Sequence, residues 1–80
     1  MIRLTTHAWE RVATGEVALE WIERTVLSPE FERNDVRRPT TTLSFRAIPE
    51  FGNRTLRVAH RPEKDDVLVI TAFFDRGARR

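Results

Sequence analysis

The sequence predicts an α+β fold in which a hairpin of two helices packs on an antiparallel sheet of three to four strands. Two observations lead to this expectation. Apolar side chains recur at helical spacing in residues 5–27, whereas β-branched and apolar residues alternate in the later segments. Helices that come before strands, rather than between them, favour two layers with the helices on one sheet face. A chain of 80 residues is expected to form a single domain spanning 1–80.

The two helices are predicted at the N-terminal end of the chain. Thr5 and Thr6 are residue types that cap helices, and the amphipathic segment after them reaches Gly15, a good helix terminator. A second amphipathic helix is predicted over 16–27, before the Pro29 that ends it. The aromatic residues expected in the interface between helices and sheet are Trp9 and Trp21.

Strands are predicted in the rest of the chain. A short first strand is expected over 31–36, and a Thr-rich, β-branched one over 40–48. The segment 54–60 alternates apolar and basic residues. Residues 67–74 are apolar on both faces, which predicts a strand in the interior of the sheet.

Charge is sorted along the chain, although the formal net charge is only +2. Residues 1–32 contain three arginines and six acids, whereas residues 33–62 contain seven arginines and two acids. Arginine forms planar, bidentate contacts with phosphate that lysine does not form. We therefore expect an acidic helical side and a basic sheet surface suited to phosphate or another anion.

Composition excludes several classes of site. The chain has no cysteine, which excludes disulfides, thiolate zinc sites and cysteine nucleophiles, and two histidines cannot hold a structural zinc ion alone. No cofactor and no metal are expected. No apolar run approaches the roughly 20 residues of a membrane span, and the first residues lack a secretory leader. We expect a soluble, cytoplasmic protein with no membrane contact.

Short motifs carry a resemblance to a known family. The first helix begins with His-Ala-Trp-Glu-Arg at 7–11, which has the form His-Ala-x-x-Arg. The second ends with Trp-Ile-Glu-Arg-Thr-Val-Leu-Ser-Pro at 21–29, and the late strands contain Leu-Arg-Val at 56–58 and Val-Ile-Thr-Ala-Phe-Phe-Asp at 69–75. Together they resemble a bacterial family of short proteins classed as a domain of unknown function. That family looks related to the RelE/ParE toxins, including BrnT-like toxins.

The resemblance implies a RelE/ParE-like fold and a toxin-like domain of a toxin–antitoxin system. The implied activity is that of an RNA-directed, mRNA interferase-type nuclease, although the ParE branch acts on DNA gyrase. The implied partners are RNA or the ribosome and an antitoxin-like protein. The family's histidine and arginine map onto His7 and Arg11. This chain has no tyrosine and only one lysine, Lys64, so a tyrosine- or lysine-based active site does not carry over.

The residues could also supply a metal-independent endoribonuclease with its chemistry. RNA cleavage needs a base, an acid and cations that stabilise the charge on phosphate, and histidine can act as base or acid near neutral pH. Arg46 and Arg57, on neighbouring strands, are expected to clamp one phosphate. The predicted catalytic residues are His7, Arg11, Arg57 and His60, and the predicted nucleic-acid-binding residues are Arg46, Arg54, Arg57 and Arg61.

Structural roles for these side chains stay open from the sequence: a capping contact for His7, an ion pair for Arg11 and a solvated surface for the strand residues. The alternative function is a non-catalytic interaction module. In that case the outer sheet face, which includes the apolar segment 67–74, would bind a protein partner or a second copy in a homodimer.

Overall fold

A computed structural model describes residues 1–78 and shows, within them, an α+β fold of two helices and a five-stranded mixed sheet. The strand order is β1-β5-β4-β3-β2, with β1 parallel to β5 and every other neighbouring pair antiparallel. A 3-10 turn, Pro49–Phe51, connects β3 to β4. The elements in chain order are β1 (Ile2–Leu4), α1 (Thr6–Ala13), α2 (Leu19–Leu27), β2 (Phe31–Asn34), β3 (Thr42–Ile48), β4 (Arg54–Glu63) and β5 (Asp66–Phe74).

The α+β class and the two N-terminal helices are confirmed, but the described sheet has five strands rather than three to four and is mixed rather than antiparallel. The additional strand is β1, whose three residues are too few to show a two-residue alternation. Its partner is β5, where Ile2 lies opposite Val67 and Leu4 opposite Val69. A pairing between the two ends of the chain leaves no local sequence signal.

Thr5 fixes the start of α1 and also ties the helix to the sheet. Its hydroxyl oxygen accepts a hydrogen bond from the Ala8 N–H (3.2 Å), as a helix N-cap does. The same hydroxyl donates to the Ile70 carbonyl (2.8 Å), and the Thr5 N–H donates to the Val69 carbonyl (3.0 Å). The predicted cap is therefore confirmed, and it positions α1 over β5.

The connection between the helices is longer than predicted. Gly15 has φ of 81°, a left-handed conformation that costs glycine little, and it ends α1 as expected. The N–H groups of Glu16 and Val17 then both donate to the Arg11 carbonyl, at 3.0 and 3.3 Å. These bonds hold residues 16–18 in a tight connection, so that α2 begins at Leu19 and not at residue 16.

Both helices lie on the same side of the sheet. The main core lies between them and this side, which we call the covered face, because helix residues such as Ile22 pack there against strand residues such as Leu56. Trp21 packs against this core as predicted, but Trp9 is 53% exposed, so its predicted place in the interface was wrong. The buried members of the main core are Ala8, Val17, Ile22, Ile48, Leu56, Val58, Val69 and Ala72.

The opposite side of the sheet, which we call the open face, contacts neither helix. A smaller buried cluster lies there, formed by Leu43, Phe45 and Ala59. Phe31 stacks on Phe45 with ring centroids 4.5 Å apart and planes 5° apart, and so helps to cover it. An irregularity between Ala59 and His60 shifts the β4–β5 register. The strand β5 contributes apolar residues to both faces, such as Val69 to the main core and Ile70 to the smaller cluster.

Within the described residues no helix is long and apolar enough to cross a membrane.

Candidate anion-binding site

Strand register places four arginines on the open face: Arg33, Arg57, Arg61 and Arg3, which like Arg61 is opposite Leu68. Directly opposed residues on neighbouring strands share a face of the sheet. Arg33 is opposite Leu43, and Arg57 is opposite Phe45, so both arginines lie on the side of the smaller cluster. Arg61 is also on β4, four residues after Arg57, and alternation along the strand puts it on the same face.

The loop between β2 and β3 adds two more arginines and is held by its own hydrogen bonds. The Asp35 N–H donates to the Thr41 carbonyl (3.0 Å), and the Thr41 N–H donates to the Arg38 carbonyl (2.8 Å). The Asp35 carboxylate accepts from the Arg37 N–H at 3.0 Å, which is the geometry of an Asx turn. The loop that carries Arg37 and Arg38 is therefore a defined turn.

Four of these arginines, Arg33, Arg37, Arg38 and Arg57, line a cleft of about 510 Å³. Its lining contains four arginines and one carboxylate, Asp35, so the formal charge of the lining side chains favours an anion. We call it the arginine cleft. Its lining residues are Arg33, Asn34, Asp35, Val36, Arg37, Arg38, Leu43 and Arg57.

Aromatic rings support the two strand arginines of the cleft. The guanidinium carbon of Arg33 lies 5.4 Å from the Phe31 ring centroid and 5.7 Å from that of Phe45. The guanidinium carbon of Arg57 lies 5.2 Å from the Phe73 ring centroid. Cation–π attraction restricts both side chains, so less conformational entropy is lost when they bind an anion.

Acidic neighbours distinguish Arg57 from Arg61. Arg57 makes one long ion pair, from Nη1 to Asp75 Oδ2 at 3.4 Å. Arg61 lies 3.7 Å from Glu63, and Glu63 also pairs with Arg3 at 3.3 Å. Arg61, predicted to bind nucleic acid, thus belongs to a mixed-charge cluster and does not line the arginine cleft.

The structure separates Arg46 from Arg57, so the predicted clamp on one phosphate does not form. Arg46 is opposite the core residue Leu56 and therefore lies on the covered face. Its Nη1 donates to the Ser28 carbonyl (2.7 Å), which ties β3 to the end of α2. Arg54, also predicted to bind nucleic acid, lies over the Phe51 ring at 4.9 Å, beside the 3-10 turn.

His7 and Arg11 are neighbours, as their spacing predicts, but they are remote from Arg57. Both line a small pocket of about 230 Å³ on α1, where Arg11 pairs with Glu16 at 3.1 Å. Since α1 packs on the covered face, the whole sheet lies between this pocket and Arg57. The four predicted catalytic residues therefore do not form one site.

His60 also lies on the covered face, in a hydrogen-bonded chain that the sequence analysis did not predict. Its Nε2 is 2.7 Å from the Ser44 hydroxyl, and that hydroxyl donates to Glu32 at 3.0 Å. Because serine has a single hydroxyl hydrogen, this arrangement requires His60 to carry a hydrogen on Nε2. Burial lowers the pKa of His60 below its ordinary value, and the nearby Glu32 carboxylate opposes this shift.

Sequence reasoning missed three cleft arginines: Arg33 at the end of β2, and Arg37 and Arg38 in the β2–β3 loop. The signal that could have found them is the excess of arginine over acid in residues 33–62, combined with the proline-containing segment 37–39 between the strands predicted over 31–36 and 40–48. A hairpin turn brings the arginines on its two sides together. No group of three or more metal-ligating side chains occurs in residues 1–78.

Comparison with protein families identifies a match over most of the chain. Residues 4–74 match the family described as "Domain of unknown function (DUF4258)". The match extends from the end of β1 to the end of β5 and so includes both helices and most of the sheet. Comparisons with curated proteins and with solved structures give no match.

Proposed function

This chain belongs to the DUF4258 family, and from the resemblance of its motifs to the RelE/ParE toxins, together with its basic surface, we propose that it is a toxin-like domain of that type that acts on RNA. The observation that carries the proposal is the arginine cleft, where four arginines and one aspartate line a space of about 510 Å³ on the open face. Single-stranded nucleic acid combines regularly spaced phosphates with bases that can stack on aromatic rings, and the resemblance to the RelE/ParE toxins favours RNA over DNA.

The chemistry of the cleft fits the backbone of single-stranded RNA. Arginine donates parallel N–H groups to two oxygens of one phosphate. Phe31 and Phe73 lie beside the guanidinium groups of Arg33 and Arg57, and sequence-tolerant binding of single strands commonly combines a basic groove with such rings. We therefore assign to Arg33 and Arg57 the contacts with RNA phosphates.

Nuclease activity is a further part of the proposal. Arg57 is the one predicted catalytic residue that lines the cleft, and its proposed role is to stabilise negative charge on the phosphate at which cleavage occurs. His7, Arg11 and His60 lie on the other side of the sheet, so we do not assign them a contact with this phosphate. The proposed proton acceptor for the 2′-hydroxyl is the carboxylate of Asp35, which lines the cleft, and the proposed proton donor to the leaving 5′-oxygen is water.

Binding tests the proposal directly. The double variant Arg33→Gln with Arg57→Gln should bind a labelled single-stranded RNA at least about tenfold more weakly, because two phosphate contacts are lost. The slope of log affinity against log salt should fall by about 1.4, since each contact with a single strand contributes about 0.7. Fluorescence anisotropy at several salt concentrations measures both quantities.

The matched control removes the same two positive charges outside the cleft, through Arg3→Gln with Lys64→Asn. Arg3 is on the edge strand β1, and Lys64 is in the β4–β5 turn with φ of 57°, a conformation that asparagine tolerates. This control should keep most of the affinity. Equal losses in both double variants would show that net charge, and not the arginine cleft, governs binding.

Toxicity and cleavage are tested separately. Inducible expression in a bacterium should slow growth, and the Arg33→Gln/Arg57→Gln variant should relieve that inhibition. The purified protein should shorten a labelled RNA more than the double variant does. A wild-type protein that neither binds RNA nor slows growth contradicts the proposal.

The second candidate function is a non-catalytic module that binds a protein partner or a second copy of itself. It is favoured by large apolar side chains that the helices leave exposed, such as Trp9 at 53% and Leu27 at 76%. Light scattering that shows a dimer, together with a wild-type protein that fails to bind RNA, would favour this function. A Trp9→Ala variant that becomes monomeric would then place the interface on the helical side.

A further inference from the structure

The segment that follows β5 turns back over the open face. The Gly77 N–H donates to the Asp75 carboxylate at 2.9 Å, and the Ala78 N–H lies 3.4 Å from the Asp75 carbonyl. Ala78 packs against the buried cluster of Leu43, Phe45 and Ala59. The turn therefore fixes the Asp75 carboxylate at the edge of the open face.

From this position Asp75 contacts Arg57, but only weakly. Asp75 Oδ2 is 3.4 Å from Arg57 Nη1, and a single N–H group is engaged. Elsewhere the chain forms a much tighter pair, since Arg24 donates from both Nη atoms to Glu50 at 2.9 and 2.6 Å. The Arg57 side chain is 33% exposed, and its one side-chain hydrogen bond within residues 1–78 is the contact with Asp75, so further N–H groups can donate to an anion from solution.

We propose that Asp75 is an internal stand-in for a phosphate of single-stranded RNA, holding Arg57 in position and weakening RNA binding by competing for it. This inference rests on the proposed function. A phosphodiester that binds Arg57 meets the negative charge of Asp75 close by, so like-charge repulsion opposes the contact. A cleft of about 510 Å³ accommodates a single nucleotide-sized group, which is why we specify a single strand.

The test is the Asp75→Asn variant, in which the amide oxygen can still accept from the Gly77 N–H. We expect it to bind labelled single-stranded RNA about three- to tenfold more tightly than the wild type, since one close repulsive charge is removed. The matched control is Asp65→Asn in the exposed β4–β5 turn, which makes the same change in net charge far from the cleft. The control should alter affinity by less than about twofold.

A double variant shows whether the gain depends on Arg57. In the Arg57→Gln background, Asp75→Asn should give no more gain than the Asp65→Asn control, because the contact it relieves is already absent. If Asp75→Asn fails to fold, Asp75→Ser is a second substitution that suits the turn. We expect this variant as well to bind RNA more tightly than the wild type. Thermal unfolding of each variant identifies any loss of folding.

The outcomes separate the two proposals. If the wild type binds RNA but Asp75→Asn binds no more tightly than Asp65→Asn, the stand-in role is wrong and the proposed function is unaffected. A gain that persists in the Arg57→Gln background also overturns the stand-in role. If neither the wild type nor Asp75→Asn binds RNA at low salt, both proposals fail.

Discussion

The two faces of this sheet are protected from water in different ways. On the covered face, two helices bury Leu56, Val58 and Val69 completely. On the open face, Leu43 and Phe45 are nearly as well buried, at 8% and 2% exposure, without a helix above them. Aromatic rings and arginine side chains cover them instead. The comparison shows that an uncovered sheet face can keep a small core when long amphipathic side chains lie across it.

The arginines of the two faces are engaged differently as well. On the covered side, Arg46 donates to the Ser28 carbonyl and Arg24 forms a bidentate pair with Glu50, so these side chains join parts of the fold. On the open face, Arg33 and Arg57 lie over aromatic rings, and Arg57 has only a long ion pair. The open face alone does not leave an arginine available, because Arg61 lies there and pairs with Glu63 at 3.7 Å; the arginines able to bind a ligand are those that line the arginine cleft.

The largest expected effect is on the free energy of unfolding when a leucine of each core is replaced by alanine. Leu56→Ala should lower the free energy of unfolding by about 3–4 kcal/mol, because Leu56 is fully buried beneath the helices. Leu43→Ala should cost about 2 kcal/mol, because Leu43 borders the arginine cleft, where water can enter the space left. Urea unfolding of both variants measures the difference. An equal or larger cost for Leu43→Ala would contradict the contrast between the faces.

The hydrogen-bonded chain of His60, Ser44 and Glu32 on the covered face should make the free energy of unfolding depend on pH below about 6.5. The pKa of folded His60 lies below its ordinary value of 6.5, so the unfolded chain binds the proton more readily. This contribution to stability is present above pH 6.5 and is lost as the pH falls through 6.5 towards the folded pKa. We expect wild type to lose more stability than His60→Gln over this range, as followed by urea unfolding. A wild type that becomes more stable relative to His60→Gln as the pH falls would contradict this expectation.

Local patterns were sufficient for most of the fold. The Thr5 cap, the end of α1 at Gly15 and the interior position of β5 all follow from residues close together in sequence. The strand β1 and the exposure of Trp9 do not follow from neighbouring residues. The strand forms by pairing with the distant β5, and Trp9 is exposed because of how α1 packs on the sheet. Whether residues such as Trp9 are buried depends on the angle between helix and sheet, and no sequence period encodes that angle.

The site was less predictable because register decides which strand residues share a face. Arg46 and Arg57 were expected together, yet Arg57 is opposite Phe45 and Arg46 is opposite Leu56. A shift of one residue in the β3–β4 register would have brought the two arginines to one face. The excess of arginine in residues 33–62 did indicate a basic surface, and the arginine cleft lies in that part of the chain. The pairing of the strands decides which strand arginines line the cleft.

The smallest expected effect concerns the rim of the covered face, where Glu50 joins the 3-10 turn to α2. Its hydrogen bonds with Arg24 lower the pKa of Glu50 from 4.5 to about 2. The stability that this pair contributes is therefore present above pH 4.5 and is lost as the pH falls through about 2. Glu50→Gln should lower the unfolding midpoint slightly at neutral pH, because the pair is exposed and screened by water. Thermal unfolding should show this difference shrinking between pH 4.5 and about 2, whereas a constant difference would mean that the Glu50 charge contributes nothing.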